Sequence, residues 1–134
     1  MKFLPLVFFL APHALPSFAQ DSPQYNACIK KANTQSEMNT CASQESARAD
    51  VDLNFMYHKL LSKAASRPEA IAKVRIAERA WIQYCDSCLD AAFPAKDKQT
   101  ECGSIYPMES NLLRARLTRR HIASLQDLVQ QYSR

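Results

Sequence analysis

Glycine is almost absent from this chain of 134 residues, and Gly103 is the only one. Tight turns between β-strands depend on glycine, because it adopts positive φ without steric cost. Helices avoid it, since each interior glycine weakens a helix by about 1 kcal/mol. The composition therefore argues against a β-protein and predicts an all-helical fold.

The chain also lacks an apolar run long enough to cross a membrane, which takes about 20 residues in a helix. Its most apolar stretch, residues 3–10, follows Lys2 and precedes the small-x-small sequence of residues 17–19. This pattern is typical of a cleaved secretory signal peptide. We predict a signal peptide over residues 1–19, cleaved after Ala19, and one helical domain over residues 20–134. The residue directly after the cleavage site is Gln20 and not a cysteine, so we expect no lipid anchor and a soluble periplasmic or secreted protein.

A strong charge of one sign is missing as well. The formal net charge is +4, and it falls to about +3 once Lys2 leaves with the signal peptide. The arginines of residues 114–120 are interpreted as a solvated helix face, because exposed aromatic residues are not interleaved with them. The sequence therefore predicts no nucleic-acid partner.

Five cysteines lie in the exported part, where disulfides form and persist: Cys28, Cys41, Cys85, Cys88 and Cys102. A bond between Cys28 and Cys41 would close a loop of about 14 residues and contribute about 3 kcal/mol in the chain-entropy model. We predict this bond; the alternative is two buried free thiols. Because five is odd, at least one thiol stays outside intramolecular bonds, which leaves a linked dimer open.

Cys85 and Cys88 have the C-x-x-C spacing of redox and zinc sites. A thioredoxin-like site places this motif at a helix start, where the thiol pKa is lowered, but here the motif lies inside a predicted helix. Zinc needs four ligands, and only Cys102 and His121 are available to complete the set. We therefore expect neither metal nor cofactor, and we favour a Cys88–Cys102 disulfide that leaves Cys85 free.

The longest predicted helix begins at Thr34, where residues 34–37 (TQSE) form a capping box. In this motif the threonine hydroxyl accepts from the amide of Glu37, and the glutamate reaches back to the amide of Thr34. Apolar residues then recur at helical spacing, which predicts a helix over residues 35–65. Glu45 interrupts this stripe, so we expect a bend or an exposed turn near Ser46.

Two helices flank the long one. A short first helix opens at Ser22-Pro23 and ends near Asn33. A second capping box, residues 66–69, starts a helix that runs to about Phe93, with its proline in the first turn, where proline is tolerated.

Pro94 ends that helix, and the polar residues that follow it predict a loop of about ten residues. A last helix starts between residues 104 and 107 and runs to about Tyr132. Short links force neighbouring helices to run antiparallel. The predicted fold class is all-α: an antiparallel bundle of three long helices plus a short N-terminal helix, stabilised by disulfide bonds.

Two segments of the N-terminal half carry recognisable motifs: residues 28–42 read C-x-x-x-A-x-T-Q-x-E-M-N-x-C-A, and residues 49–57 read A-D-x-x-L-N-x-x-Y. These motifs resemble the lysozyme-inhibitor LprI-like family of small exported bacterial proteins. The sequences A-W-I-x-Y-x-D (80–86), G-S-I (103–105) and L-T-x-x-x-I-x-x-L (117–125) are similar to the C-terminal half of the family. The resemblance covers nearly all of the mature chain and implies a helical, disulfide-stabilised protein of the periplasm or cell surface.

The resemblance implies a proteinaceous inhibitor that binds lysozyme or a related muramidase and blocks it. No histidine lies near a serine or cysteine in a nucleophile context, so we expect the chain not to be an enzyme. Muramidases use two carboxylates in a cleft. Lys96 and Lys98 in the loop are therefore candidate partner-binding residues. Gln35 and Asn39 in the polar turn are candidates because the sequence gives them no structural role.

One physical objection stands against this target. Common lysozymes are strongly basic, and a chain of about +3 is not steered towards them. The alternative is a non-catalytic envelope interaction or immunity protein with another partner. A third and weaker hypothesis is a thiol oxidoreductase that uses Cys85 and Cys88.

Overall fold

The structure is a computed structural model that describes residues 20–134, and the predicted signal peptide lies outside these residues. It contains helices α1 (Pro23–Ile29), α2 (Gln35–Ala64), α3 (Pro68–Ala92), α4 (Lys98–Cys102) and α5 (Tyr106–Gln131). No strand occurs in this part of the chain, and the predicted all-α fold is confirmed. None of the helices described is both long and apolar enough to cross a membrane.

Helices α2 and α5 form the most closely packed pair, although α3 separates them in sequence. Cys41, near the start of α2, shares an apolar cluster with Leu112, near the start of α5. Leu60 and Val129, near the ends of the two helices, share another cluster. The two helices therefore run parallel, and α3 runs antiparallel to both, as the short link at Ser66 predicted for α2 and α3.

The capping box at the start of α2 is confirmed. The Thr34 hydroxyl accepts from the Glu37 amide at 3.2 Å, and the Glu37 carboxylate accepts from the Thr34 amide at 3.0 Å. The second predicted capping box does not form, because Arg67 rather than Ser66 is the N-cap of α3 and makes no side-chain capping bond. Pro68 nevertheless occupies the first turn, where its missing N–H costs nothing.

The exposed turn expected near Ser46 is not formed. Helix α2 is continuous over Gln35–Ala64, and both Glu45 and Ser46 are buried. Together with Thr118 of α5 they form a buried polar layer between the two apolar clusters. The core is therefore divided into two apolar clusters, and Glu45, which interrupts the apolar pattern of α2, lies between them.

The segment predicted as a loop contains the short helix α4. Asp97 caps it by accepting from the Thr100 amide at 3.1 Å, an arrangement typical of aspartate at helix starts. Gly103 ends it with φ of 72°, a conformation that costs glycine little because it has no Cβ. The single glycine of the chain therefore lies where left-handed backbone is required.

Candidate protein-binding site

Glu45 is the centre of an ion cluster that joins three helices. Its side chain is completely buried, and its Oε1 accepts from the Ser22 amide at 2.7 Å and from Arg119. Its Oε2 accepts from the Ser22 hydroxyl at 2.5 Å and from Arg48 Nη2 at 2.9 Å. Since Ser22 is the N-cap of α1 and Arg119 belongs to α5, one carboxylate fastens α1 and α5 to α2.

The donors around Glu45 keep it ionised. Burial by itself raises the pKa of a carboxyl group, but the hydrogen bonds from Ser22, Arg48 and Arg119 outweigh that effect and lower the pKa of Glu45 to about 2. A buried carboxylate is tolerated only when it is paired and hydrogen-bonded in this way. Ser22, Arg48 and Arg119 supply these bonds to Glu45.

The arginines of α5 are not the fully solvated face that the sequence indicated. Arg114 pairs with Asp86 and Arg116 with Asp21, each at 3.2 Å, and Arg119 pairs with Glu45. Only Arg120 of this group is exposed.

Sequence reasoning missed the role of Glu45. The signal available was one carboxylate on an apolar helix stripe, in a chain whose last helix is rich in arginine.

A surface depression of about 440 Å³ lies over this cluster. We call it the arginine depression; it is lined by Ser22, Gln24, Ala47, Arg48, Val51, Asp52 and Arg119. Val51 is 67% exposed, and Phe55, one turn further along α2, is 69% exposed. Large apolar side chains beside fixed guanidinium groups are typical of protein-binding surfaces, which are enriched in aromatic residues and arginine.

Gln35 and Asn39 have a structural role that the sequence did not reveal. The Gln35 amide donates to Asn39 Oδ1 at 2.8 Å, and the Asn39 amide donates to the Ser104 carbonyl at 3.1 Å. The pair ties the first turn of α2 to the link between α4 and α5. As partner-binding residues, both stay a prediction.

Lys96 and Lys98 flank Asp97, the N-cap of α4, in the sequence. Lys96 is exposed between α3 and α4, whereas Lys98 Nζ lies 2.9 Å from Asp90 of α3. Lys98 also lines a depression of about 310 Å³ between α3, α4 and α5. The Lys98 ammonium group is therefore engaged by Asp90, and contact of either lysine with a partner stays a prediction.

The Cys28–Cys41 disulfide is present, with its sulfur atoms 1.97 Å apart, and it joins the end of α1 to the start of α2. In the described chain, Cys85, Cys88 and Cys102 are free thiols, so the expected Cys88–Cys102 bond is not formed. That expectation assumed an irregular loop able to fold back on α3, but Cys102 is instead the last residue of α4.

The free cysteines do not form a redox site of the thioredoxin type. Burial raises the pKa of Cys85, whereas a reactive thiol needs a lowered one. Both residues of the C-x-x-C pair lie well inside α3, far from its N-terminus. Within residues 20–134, no three His, Cys, Asp or Glu side chains are grouped so that they could hold a metal ion.

The fold and this site define a small disulfide-tied helical bundle with an arginine-lined surface depression. The family described as lysozyme inhibitor LprI matches residues 28–125, from the first disulfide cysteine to the core of α5. An uncharacterized protein of Rhizobium meliloti (strain 1021) is 32% identical over 113 residues, which cover 75% of this chain and 78% of that protein. The chain belongs to the lysozyme inhibitor LprI family. No solved structure matches it significantly.

Proposed function

We propose that this protein is an exported inhibitor of lysozyme or of a related muramidase, and that it acts by binding the enzyme and blocking its substrate cleft. The observation that carries the proposal is the family match over residues 28–125. This range includes α2, α3, α4 and most of α5, and with them Glu45, Arg48 and Arg119. In this proposal the protein is not an enzyme, and it works in the periplasm or outside the cell.

The arginine depression is the surface we assign to the enzyme. Arg48 and Arg119 are already ordered by Glu45, so they lose little further side-chain entropy when a partner binds. Val51 and Phe55 add exposed apolar area next to them. A surface fixed in advance suits an inhibitor that must bind tightly despite an unfavourable net charge.

A titration of muramidase activity with purified protein tests the proposed function. We expect hydrolysis of cell-wall glycan to slow at micromolar inhibitor. Testing one strongly basic and one near-neutral muramidase separates target choice from charge repulsion, which weakens with added salt. Unchanged rates for every muramidase tested, with folded protein in micromolar excess, would remove the hypothesis.

Two matched variants test the surface. Val51→Glu places a carboxylate beside the depression on α2, and we expect it to weaken inhibition at least tenfold, the scale of an interface residue worth more than 1 kcal/mol. Ile76→Glu makes the same kind of change at an exposed residue of α3, and inhibition should stay within about twofold. Equal losses in both variants, or losses in neither, would rule out the arginine depression as the contact. Loss only in Lys96→Ala or Lys98→Ala would move the contact to α4.

The positive charge of the chain favours a second candidate function. An envelope interaction or immunity protein with an acidic partner would gain from electrostatic steering, whereas a binder of basic lysozyme would not. Capture of one acidic partner from an envelope extract, together with uninhibited muramidases, would favour this second function.

A further inference from the structure

The outer face of α3 carries a stripe of apolar side chains that stay exposed in the described chain. Ile76 and Tyr84 are 58% and 59% exposed, and Ala80 between them is also exposed. Residues four apart lie on one side of a helix, so these three form a continuous strip along the middle of α3. Exposed strips of this kind mark protein contacts more often than isolated apolar residues do.

Charged residues run along one side of this strip in a particular order. Arg75 and Arg79 come first, and Asp86 and Asp90 follow, at spacings of four and seven residues that keep all four on one side of the helix. The first half of this side is therefore basic and the second half is acidic.

The acidic half keeps free acceptors. Arg114 donates to Oδ1 of Asp86, and Lys98 donates to Oδ1 of Asp90, so neither Oδ2 is used by these contacts. The Asp86 and Asp90 side chains remain 58% and 73% exposed. Arg75 and Arg79 are exposed and form no ion pair with any residue the structure describes.

We propose that the outer face of α3 binds a second copy of this chain, with the two α3 helices antiparallel about a twofold axis. Arg75 lies as far before the midpoint between Ile82 and Gln83 as Asp90 lies after it, and Arg79 and Asp86 are equally placed about the same midpoint. One antiparallel register therefore brings both arginines of each copy opposite both aspartates of the other. In a parallel twofold pair the charged sides of the two helices would lie on opposite sides of the contact and could not pair with each other.

The apolar strip overlaps its own copy only near the axis. Tyr84 lies next to the midpoint, so the two tyrosines pack near the axis, each beside Ala80 of the other copy. Ile76 lies opposite residue 89, beyond the end of the other copy's strip. A twofold contact uses the same patch on both subunits and must be self-complementary, and the order of charges along α3 meets that condition. The arginine depression lies on α1, α2 and α5 and takes no part in this contact, so the dimer is independent of muramidase binding.

Sedimentation equilibrium of the purified protein over a wide range of concentration tests the proposal. We expect a monomer–dimer equilibrium that weakens as salt is added, since exposed charge pairs are screened. The double variant Arg75→Glu/Arg79→Glu should weaken self-association about tenfold or more, because it opposes like charges in the dimer. Asp86→Lys/Asp90→Lys should do the same.

The decisive measurement mixes these two double variants, after helical circular dichroism has shown that each is folded. We expect the mixture to form a heterodimer, since each variant supplies the charges that the other has lost. Val51→Glu serves as a control and should leave self-association unchanged. Any one of three results would overturn the proposal: a wild-type chain that stays monomeric at every concentration, variants that associate as the wild type does, or a mixture that stays monomeric. If the wild type stays monomeric and the α3 variants no longer bind the muramidase, this face would be assigned to the enzyme instead.

Discussion

Helices α2 and α5 meet along most of their length, whereas α3 is held on them by a narrow face. Nine of the 30 residues of α2 are buried, but only three of the 25 residues of α3 are: Ala70, Val74 and Cys85. The α2–α5 pair is also fastened to α1 by the disulfide and by Glu45. Helix α3 is attached through the Trp81–His121 stack and a few ion pairs. Stability and exposed surface are therefore divided between helices: α2 and α5 hold most of the core, and α3 carries the exposed apolar residues Ile76, Ile82 and Tyr84.

Removing the charge of Glu45 should destabilise the α2–α5 pair, the more firmly packed of these two regions. Glu45→Gln keeps the shape of the side chain but leaves Arg119 and Arg48 without a counter-charge inside the cluster. Loss of one partner of a buried pair costs about 3 to 5 kcal/mol. Urea unfolding followed by circular dichroism measures this loss. Glu109→Gln, at an exposed glutamate of α5, is the control and should cost about 0.5 kcal/mol or less.

Acid should weaken the same cluster without any mutation. Because the pKa of Glu45 is lowered to about 2 in the folded chain, its stabilisation is complete above the usual carboxyl pKa and is lost as pH falls towards 2. The loss should approach about 3 kcal/mol. Unfolding free energies measured between neutral pH and pH 2 should fall more steeply for the wild type than for Glu45→Gln. Equal slopes would contradict the role we give to this carboxylate.

The disulfide supports the same region from the other end of α1. Its two cysteines are 13 residues apart, and replacing both, as Cys28→Ala/Cys41→Ala, should cost about 3 kcal/mol. Thermal unfolding with and without reductant measures the effect. The wild type should respond to reductant and the double variant should not. An identical response in both would mean that the bond contributes nothing.

Detaching α3 should cost less. The His121 and Trp81 rings stack with centroids 4.3 Å apart, and His121 Nε2 lies 2.8 Å from the Glu78 carboxylate. His121→Ala should cost roughly 1 to 2 kcal/mol, from a lost aromatic pair and a lost hydrogen bond. Trp81 is the only tryptophan of the chain, so its fluorescence reports on this contact directly. His58→Ala, at an exposed histidine of α2, should leave the fluorescence unchanged.

The smallest effect is expected at the Asp86–Arg114 pair. Its side chains are 58% and 40% exposed, and exposed pairs contribute about 0 to 1 kcal/mol. Asp86→Asn should therefore shift the urea midpoint only slightly. A loss near that of Glu45→Gln would show that α3 is fastened as firmly as α5, and it would end the distinction between the two regions.

Sequence reasoning succeeded where the determinants are local. The capping box at Thr34 and Glu37 joins residues three apart, and the Cys28–Cys41 bond joins the ends of two adjacent helices. Glu45 was misinterpreted because its partners Ser22 and Arg119 are 23 and 74 residues away. When those partners are not known, a glutamate within an apolar stripe predicts that the buried face of the helix is interrupted there.

The short helix α4 was missed for a different reason. Its signal is local, since Asp97 caps Thr100, but a helix of five residues is too short for apolar periodicity to show. Gln35 and Asn39 combine the two cases. They bond to each other one helical turn apart, but the bond that ties the pair to the rest of the fold joins Asn39 to Ser104, 65 residues further along the chain.

The parallel pairing of α2 with α5 has a consequence for the order in which the chain folds. The apolar stripe of α2 finds its main partner only in the last helix, so the core cannot close before the C-terminal segment has arrived. Contacts this distant in sequence form late, because loop closure must precede them. The Cys28–Cys41 bond needs only the chain up to Cys41, so it can form before α5 packs on α2. Oxidation of this cysteine pair should therefore come before completion of the fold.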